Sequence, residues 1–184
     1  MNSSGKPGYK TQDIYVLEDV LSDYEIKHSY DMLIDQNWKL NSVYGDKVSY
    51  LYPTFVVNSE DKILNHYWYG FFSGVLTNVN RMLREQYNFD LGAYKIKGTL
   101  LNAQQNKGSF NFHTHEGSYS LVGFLTPYWK DDWGGELQIE DQTIKFKPGS
   151  FVLSKSNALH DAMPVKVDLP FWRISVGMFL GMPQ

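Results

Sequence analysis

Two histidines separated by one residue, His113 and His115 in "FNFHTHEG", lie in a run of aromatic and β-branched residues. A third, His160 in "NALHDAMPV", follows 45 residues after His115. In an extended chain residues i and i+2 point to one face, so His113 and His115 project together while Thr114 and Glu116 face the other way. Two imidazoles on one face can chelate a metal. His160, placed after the strand-like "SFVLS", can return across a β structure to add a third nitrogen. Three neutral nitrogens suit Fe(II), Zn or Cu by ligand type. A lone histidine is more often a surface or hydrogen-bonded group, and His28 and His66, on helix-like segments, are read that way.

Arg173 stands in "FWRISVGMFL", a segment otherwise apolar. An arginine in a buried strand keeps its charge and therefore needs an anionic partner. Ser175, two residues on, shares its face and adds a hydroxyl, and guanidinium plus hydroxyl is a good receptor for a carboxylate. A structural partner is the competing explanation, with Glu136 of "GGELQIE" or Asp161 as the acid.

The elements that must position these residues fall into two regions. "DIYVLEDV" reads as a short strand, and "SDYEIKHSYDMLIDQNW" opens with Ser22 three residues before Glu25, the spacing of a capping box. Ile26, Tyr30, Leu33 and Ile34 recur on one helical face. A second helix is expected over about Asp61 to Gln86, with Leu64, Trp68, Phe71, Phe72, Val75, Val79, Met82 and Leu83 in period. From "YKIKGTLLNAQ" onward come short β-rich runs: "SYSLVGFLTPYW", "GGELQIE", "TIKFKPGSFVLS" and "FWRISVGMFL". The fold class expected is mainly β with N-terminal helices, a double-stranded β-helix or jelly roll packed against two helices. Residues 1–10 read as a flexible lead-in, and 11–184 as one domain with helical support over about 20–88 and a β core over about 94–181.

The order "LLNAQQNKGSFNFHTH", "YSLVGFLTPYWKDDWGGEL", "IKFKPGSFVLSKSNALHDAMPV", "RIS" resembles the prolyl-4-hydroxylase-like branch of the 2-oxoglutarate and Fe(II)-dependent oxygenases. The similarity runs from about Tyr94 to Leu180. That family's pattern is a His-x-Asp pair, a "W...GGE" loop, a distal His and an Arg-x-Ser pair. The resemblance implies His113 as first metal ligand, His160 as distal ligand, and Arg173 with Ser175 as the clamp for the distal carboxylate of 2-oxoglutarate. Fe(II) and 2-oxoglutarate are the implied cofactors. The implied activity is a dioxygenase that hydroxylates a peptide side chain or a small molecule, with release of succinate and CO2. Asn102 and Gln104, on one face of the preceding strand by parity, could hydrogen-bond cosubstrate or substrate, or be ordinary strand polar groups. Trp129 and Trp133 could line the pocket mouth or simply pack.

One position departs from the pattern. Where the family has the aspartate of its two-His-one-carboxylate triad, this sequence has His115. Three arrangements are open: His115 is itself a ligand; Glu116 or Asp161 supplies the carboxylate; or the register shifts, so that His115 and His160 are the ligands and Gly117 leaves room for a halide, as in the family's halogenases. A related group of short oxygenase-like proteins carries a His-x-His pair at this place, which favours the first. Two rivals lie outside this chemistry: a three-His dioxygenase that needs no 2-oxoglutarate, and a non-catalytic metal-binding jelly roll.

Composition narrows the remaining classes. With 184 residues, 42% hydrophobic, the chain can bury one substantial core. Formal charge is −3, from 17 Lys and Arg against 20 Asp and Glu, and no stretch gathers the cations into a phosphate-tracking groove, so nucleic acid is not expected as partner. The absence of cysteine removes disulfides and thiolate sites and fits a reducing cytoplasm. No apolar run reaches the roughly 20 residues of a membrane span, and a soluble protein is expected.

Overall fold

Ser22 closes the first turn of a helix: its hydroxyl accepts the Glu25 N–H at 3.3 Å, and the Glu25 carboxylate accepts the Ser22 N–H at 2.8 Å. This reciprocal box satisfies two helix-end donors at once. The computed structural model describes residues 8–11, 13–36, 38–44, 47–52, 66–104 and 112–182. Helix α1 (Asp23–Ile34) buries Ile26, Ser29, Tyr30 and Leu33, and helix α2 (His66–Tyr87) buries Trp68, Phe72, Val75, Val79, Met82 and Leu83. The expected start of the second helix, residues 61–65, lies outside the described residues.

Eleven strands are described: β1 (Gly8–Thr11), β2 (Ile14–Leu17), β3 (Lys39–Tyr44), β4 (Lys47–Tyr52), β5 (Lys95–Gln104), β6 (Tyr119–Phe124), β7 (Leu137–Ile139), β8 (Gln142–Ile144), β9 (Phe151–Lys155), β10 (His160–Ala162) and β11 (Arg173–Gly181). Eight form an antiparallel sheet in the order β1-β2-β9-β6-β11-β5-β4-β3, and three form a second sheet, β10-β7-β8. The helices cover one face of the large sheet, where Leu101, Ala103, Leu121, Leu153, Ile174, Val176 and Leu180 meet Trp68, Phe72 and Leu83 in one core. A second core of Val16, Phe124, Leu137, Ile139, Ile144, Phe146 and Val152 fills the space between the sheets. The architecture is the expected jelly roll with two helices against it.

Strand β11 shows how the period of two divides labour. Ile174, Val176, Met178 and Leu180 are buried in the helix-side core, while Arg173, Ser175, Gly177 and Phe179 line a cavity on the other face. Gly149 makes the tight turn into β9: at φ +72° its carbonyl accepts the Val20 N–H at 3.1 Å, and a Cβ there would stand 2.9 Å from the Leu21 carbonyl oxygen.

Two expectations need correction. The stretch read as a lead-in runs into a strand: Gly8–Thr11 is paired with β2 from Gly8 opposite Leu17 to Thr11 opposite Ile14, and residues 1–7 lie outside the described residues. The region read as helical support also contains the β3–β4 hairpin, which adds to the large sheet beside β5. Among the described residues no helix is long and apolar enough to cross a membrane.

Candidate active site

The segment before β6 carries the first two histidines, and backbone bonds fix its path. His113 forms a β-bridge with His160, each N–H donating to the other's carbonyl at 3.0 Å, and the His115 N–H donates to the Ser156 carbonyl at 2.8 Å. Residues 112–116 are thus an irregular segment with one bridge and not a regular strand; residues 110–111 of the expected strand lie outside the described residues. The consequence expected of a strand holds nonetheless. His113, His115 and His160 converge, with ligand atoms all within 4.8 Å of one another. Ring centroids are 4.8 Å apart for His113 and His115, 4.5 Å for His113 and His160, and 4.9 Å for His115 and His160.

The electrostatics favour uncharged rings at His115 and His160. Burial pushes the His115 pKa down to about 4, with His160 and His113 adding to the effect. Burial lowers that of His160 as well, against the opposing influence of its bond to Ala158 and the nearby Asp161. His160 Nδ1 lies 2.9 Å from the Ala158 carbonyl oxygen, an acceptor, so Nδ1 carries the proton and Nε2 the free lone pair. Three converging imidazoles, two of them held towards the uncharged form and one with its tautomer fixed by the backbone, are a donor set that suits a divalent transition metal.

Neither carboxylate considered from sequence joins the cluster. Glu116 is exposed, and in β10 the alternation that turns His160 and Ala162 to the cavity turns Asp161 away from it. Among the described residues the only such group is the three histidines.

The same cavity, about 320 Å³, is lined by Asn102, Ser175 and Arg173 together with all three histidines. Arg173 is 1% exposed, and its hydrogen bonds are to neutral groups. Nε and Nη2 donate to the Gly135 carbonyl at 3.1 and 2.8 Å, and Nη1 donates to Gln104 Oε1. Its guanidinium lies 5.0 Å from the centre of the Phe146 ring. Glu136 instead receives Lys166 at 3.3 Å, and among the described residues no carboxylate pairs with Arg173. Burial lowers the Arg173 pKa to about 10, Glu136 and Asp161 opposing at longer range, so the group remains a cation at neutral pH. Asn102 faces Ser175 across the β5–β11 pairing, and its Oδ1 is buried without a hydrogen-bond partner among the described residues.

Several participants were not singled out in the sequence. Gly135 supplies a backbone carbonyl, which leaves no trace in side-chain types; its φ of +72°, and the 2.9 Å that would separate an added Cβ from both Arg173 Nε and Trp129 Cζ2, explain why glycine stands there. Phe179 packs against His115 at a 55° tilt with ring centroids 4.4 Å apart, and its parity with Arg173 and Ser175 was the available signal. Trp129 and Trp133 pack in an aromatic row behind Arg173, Trp129 against Phe146 at 4.6 Å and against Trp133 at 5.6 Å, and do not line the cavity. Gln104 bonds Arg173 itself.

Residues 101–181, from β5 to the end of β11 and including every site residue named above, match the family model of the 2OG-Fe(II) oxygenase superfamily. Over these residues the β core is similar to that of the 2OG-Fe(II) oxygenases. This superfamily consists of enzymes that use Fe(II) and 2-oxoglutarate, and the solved structures similar to this chain agree in fold. A 2OG-Fe(II) oxygenase family oxidoreductase from Burkholderia pseudomallei superposes with a TM-score of 0.67 at 14% identity, over 92% of this chain and 85% of that one. The viral collagen prolyl hydroxylase of Paramecium bursaria Chlorella virus-1, solved with 2OG, gives 0.59 at 13% identity, over 92% of this chain and 96% of that one. A Trichoplax adhaerens prolyl hydroxylase, solved with a peptide fragment of hypoxia inducible factor, gives 0.59 at 15% identity, over 92% of this chain and 84% of that one. No curated protein sequence matches this chain.

Proposed function

We propose that the chain is a 2-oxoglutarate-dependent oxygenase whose metal is held by His113, His115 and His160, and whose cosubstrate is held at its distal carboxylate by Arg173 and Ser175. The observation that carries this reading is a fully buried arginine, bonded only to neutral groups, in the same cavity as three converging imidazoles. A buried cation of this kind is costly to leave without an anion, and a ligand carboxylate is the anion that its remaining N–H groups fit.

The protein's own residues then do the following. His115 and His160, uncharged at neutral pH, can donate lone pairs without first losing a proton. The Ala158 carbonyl fixes the His160 tautomer, and the paired backbone bonds between His113 and His160 set the spacing of those two ligands. Arg173 and Ser175 orient the cosubstrate by the end away from the metal. The Asn102 Oδ1, without a partner among the described residues and on the strand position paired with Ser175, can accept a hydrogen bond from a donor on the substrate, since 2-oxoglutarate itself only accepts. Leu100, Val122, Leu137 and Phe179 give the cavity apolar walls that limit water. When bound, Fe(II) and 2-oxoglutarate supply an oxidative decarboxylation that couples O2 to oxidation of a substrate C–H bond and yields succinate and CO2.

The substrate is a peptide side chain or a small molecule. Similarity to prolyl hydroxylases, one of them solved with a peptide, supports the first class. The test is an anaerobic Fe(II) titration of metal-free protein followed by 2-oxoglutarate, with the visible metal-to-ligand charge-transfer band as readout. The band is expected in the wild type, lost in His115→Ala, and shifted to much higher 2-oxoglutarate concentration in Arg173→Ala. Iron binding with no band at any 2-oxoglutarate concentration overturns the reading and leaves a three-His centre that does not use this cosubstrate.

A further inference from the structure

Arg173 and Gln104 are direct partners in the β11–β5 pairing, and both are buried, at 1% and 0% exposure. A guanidinium only donates, so the Gln104 amide must present its oxygen to Nη1. Of the five N–H groups of an arginine, Nε uses its one and Nη2 one of two on the Gly135 carbonyl, and Nη1 one of two on Gln104. One N–H on each terminal nitrogen is left over, which matches the two oxygens of a carboxylate. The choice of amide matters because glutamate is isosteric with glutamine. A glutamate at 104 would accept the same bond and also neutralise the cation from within the sheet.

We propose that Gln104 is a positioning and specificity-determining residue: it holds Arg173 in place without neutralising it, and so reserves the cavity for a 2-oxo acid with a second carboxylate. This rests on the reading of Arg173 as the receptor for the distal carboxylate. It assigns Gln104 a role different from contact with cosubstrate or substrate, and it makes the neutrality of both Arg173 anchors, the Gln104 amide and the Gly135 carbonyl, the basis of selectivity.

The experiment compares two ligands on the Mn(II)-loaded full chain by anaerobic titration calorimetry: 2-oxoglutarate and 2-oxopentanoate, which carries a methyl group where the distal carboxylate would be. Charge-assisted, paired hydrogen bonds of this kind are worth about 10- to 100-fold in affinity, so the wild type is expected to prefer 2-oxoglutarate by about that ratio. Gln104→Glu is expected to weaken 2-oxoglutarate by about the same factor while leaving 2-oxopentanoate and Mn(II) affinity unchanged, so that the preference collapses. A residue that only supported the fold would weaken both ligands together. Gln104→Met, which removes the anchor and adds no charge, is expected to cost 2-oxoglutarate about 3- to 10-fold. It decides the matter if the glutamate variant does not fold, and unchanged affinity in that variant overturns the proposal. Retention of the wild-type preference in Gln104→Glu, with Arg173→Ala abolishing it, overturns the role of Gln104 alone. A wild type that does not distinguish the two acids, or an Arg173→Ala protein that still does, overturns the reading of Arg173 and the inference with it.

Discussion

His113 and His160 are tied to each other through the main chain, each N–H on the other's carbonyl at 3.0 Å, so two imidazoles from segments 47 residues apart are held as one rigid pair. His115 has a weaker tether, one N–H on the Ser156 carbonyl and a ring against Phe179. A metal held by all three should therefore depend on the His115 side chain without the fold depending on it. His115→Ala is expected to lower Fe(II) affinity by more than about 100-fold, beyond what loss of a hydrogen-bonded partner of a ligand causes. His115→Asp, which restores the carboxylate of the family pattern, is expected to keep Fe(II) binding. Anaerobic titration with a competing chelator reads both, and equal Fe(II) affinity in wild type and His115→Ala would remove His115 from the donor set.

Gly135 has its carbonyl on Arg173 and no room for a side chain. An added Cβ meets Arg173 Nε and Trp129 Cζ2, each at 2.9 Å, in a left-handed conformation that resists L side chains. Backbone strain and overpacking together put the cost of Gly135→Ala at about 2–5 kcal/mol. Urea unfolding of the metal-free protein should show the loss, and 2-oxoglutarate binding should weaken with it because Arg173 is displaced. A midpoint equal to that of the wild type would mean that the loop relaxes freely.

Much of this was legible in the sequence because side-chain parity is a local property. The His113 and His115 pair, the Arg173 and Ser175 pair and the shared face of Asn102 and Gln104 all follow from alternation along extended chain. The Ser22 and Glu25 box follows from their spacing. What escaped depends on pairing or on backbone. Strand β1 is short and polar at Lys10, and only its partner β2 makes it a strand. The β3–β4 hairpin was absorbed into a helical region although "KLNSVY" and "KVSYLY" flank Gly45-Asp46, a turn signal that could have found it. The Gly135 carbonyl has no signature at all, and the engagement of Gln104 by Arg173 is visible only once β5 and β11 are in register.

The buried Arg173 also links stability to ligand. Metal-free, ligand-free protein holds this cation among neutral partners, so a dicarboxylate that binds it should stabilise the folded state by mass action. At 2-oxoglutarate concentrations 100 times the dissociation constant, with Mn(II) present, the gain is about 2.7 kcal/mol. For a chain of this size that corresponds to a rise in Tm of about 5–10 °C. Arg173→Ala at the same concentrations should show the Mn(II) contribution alone. An equal rise on adding 2-oxoglutarate to the variant would place the ligand elsewhere.

The acid response of the metal-free protein follows from the imidazoles. An unfolded histidine titrates near 6.5, whereas burial holds that of folded His115 at about 4 and lowers that of His160 in the same direction. Between these values the unfolded chain takes up protons that the folded chain refuses, and protonation therefore favours unfolding. The stability is present in full above the unfolded value, falls as pH drops from about 6.5 towards 4, and loses nothing further from His115 below that. The lowered carboxyl groups of Asp13 and Asp90 act in a different range, below their ordinary value of 3.8, so they do not obscure the window. The urea midpoint of metal-free wild type should thus decline between pH 7 and pH 4.5, and His115→Ala should decline less. Parallel declines in the two proteins would show that the His115 ring is not held uncharged by the fold. With Mn(II) bound, protons compete with metal for the same lone pairs, and the decline should steepen at the pH where metal is released.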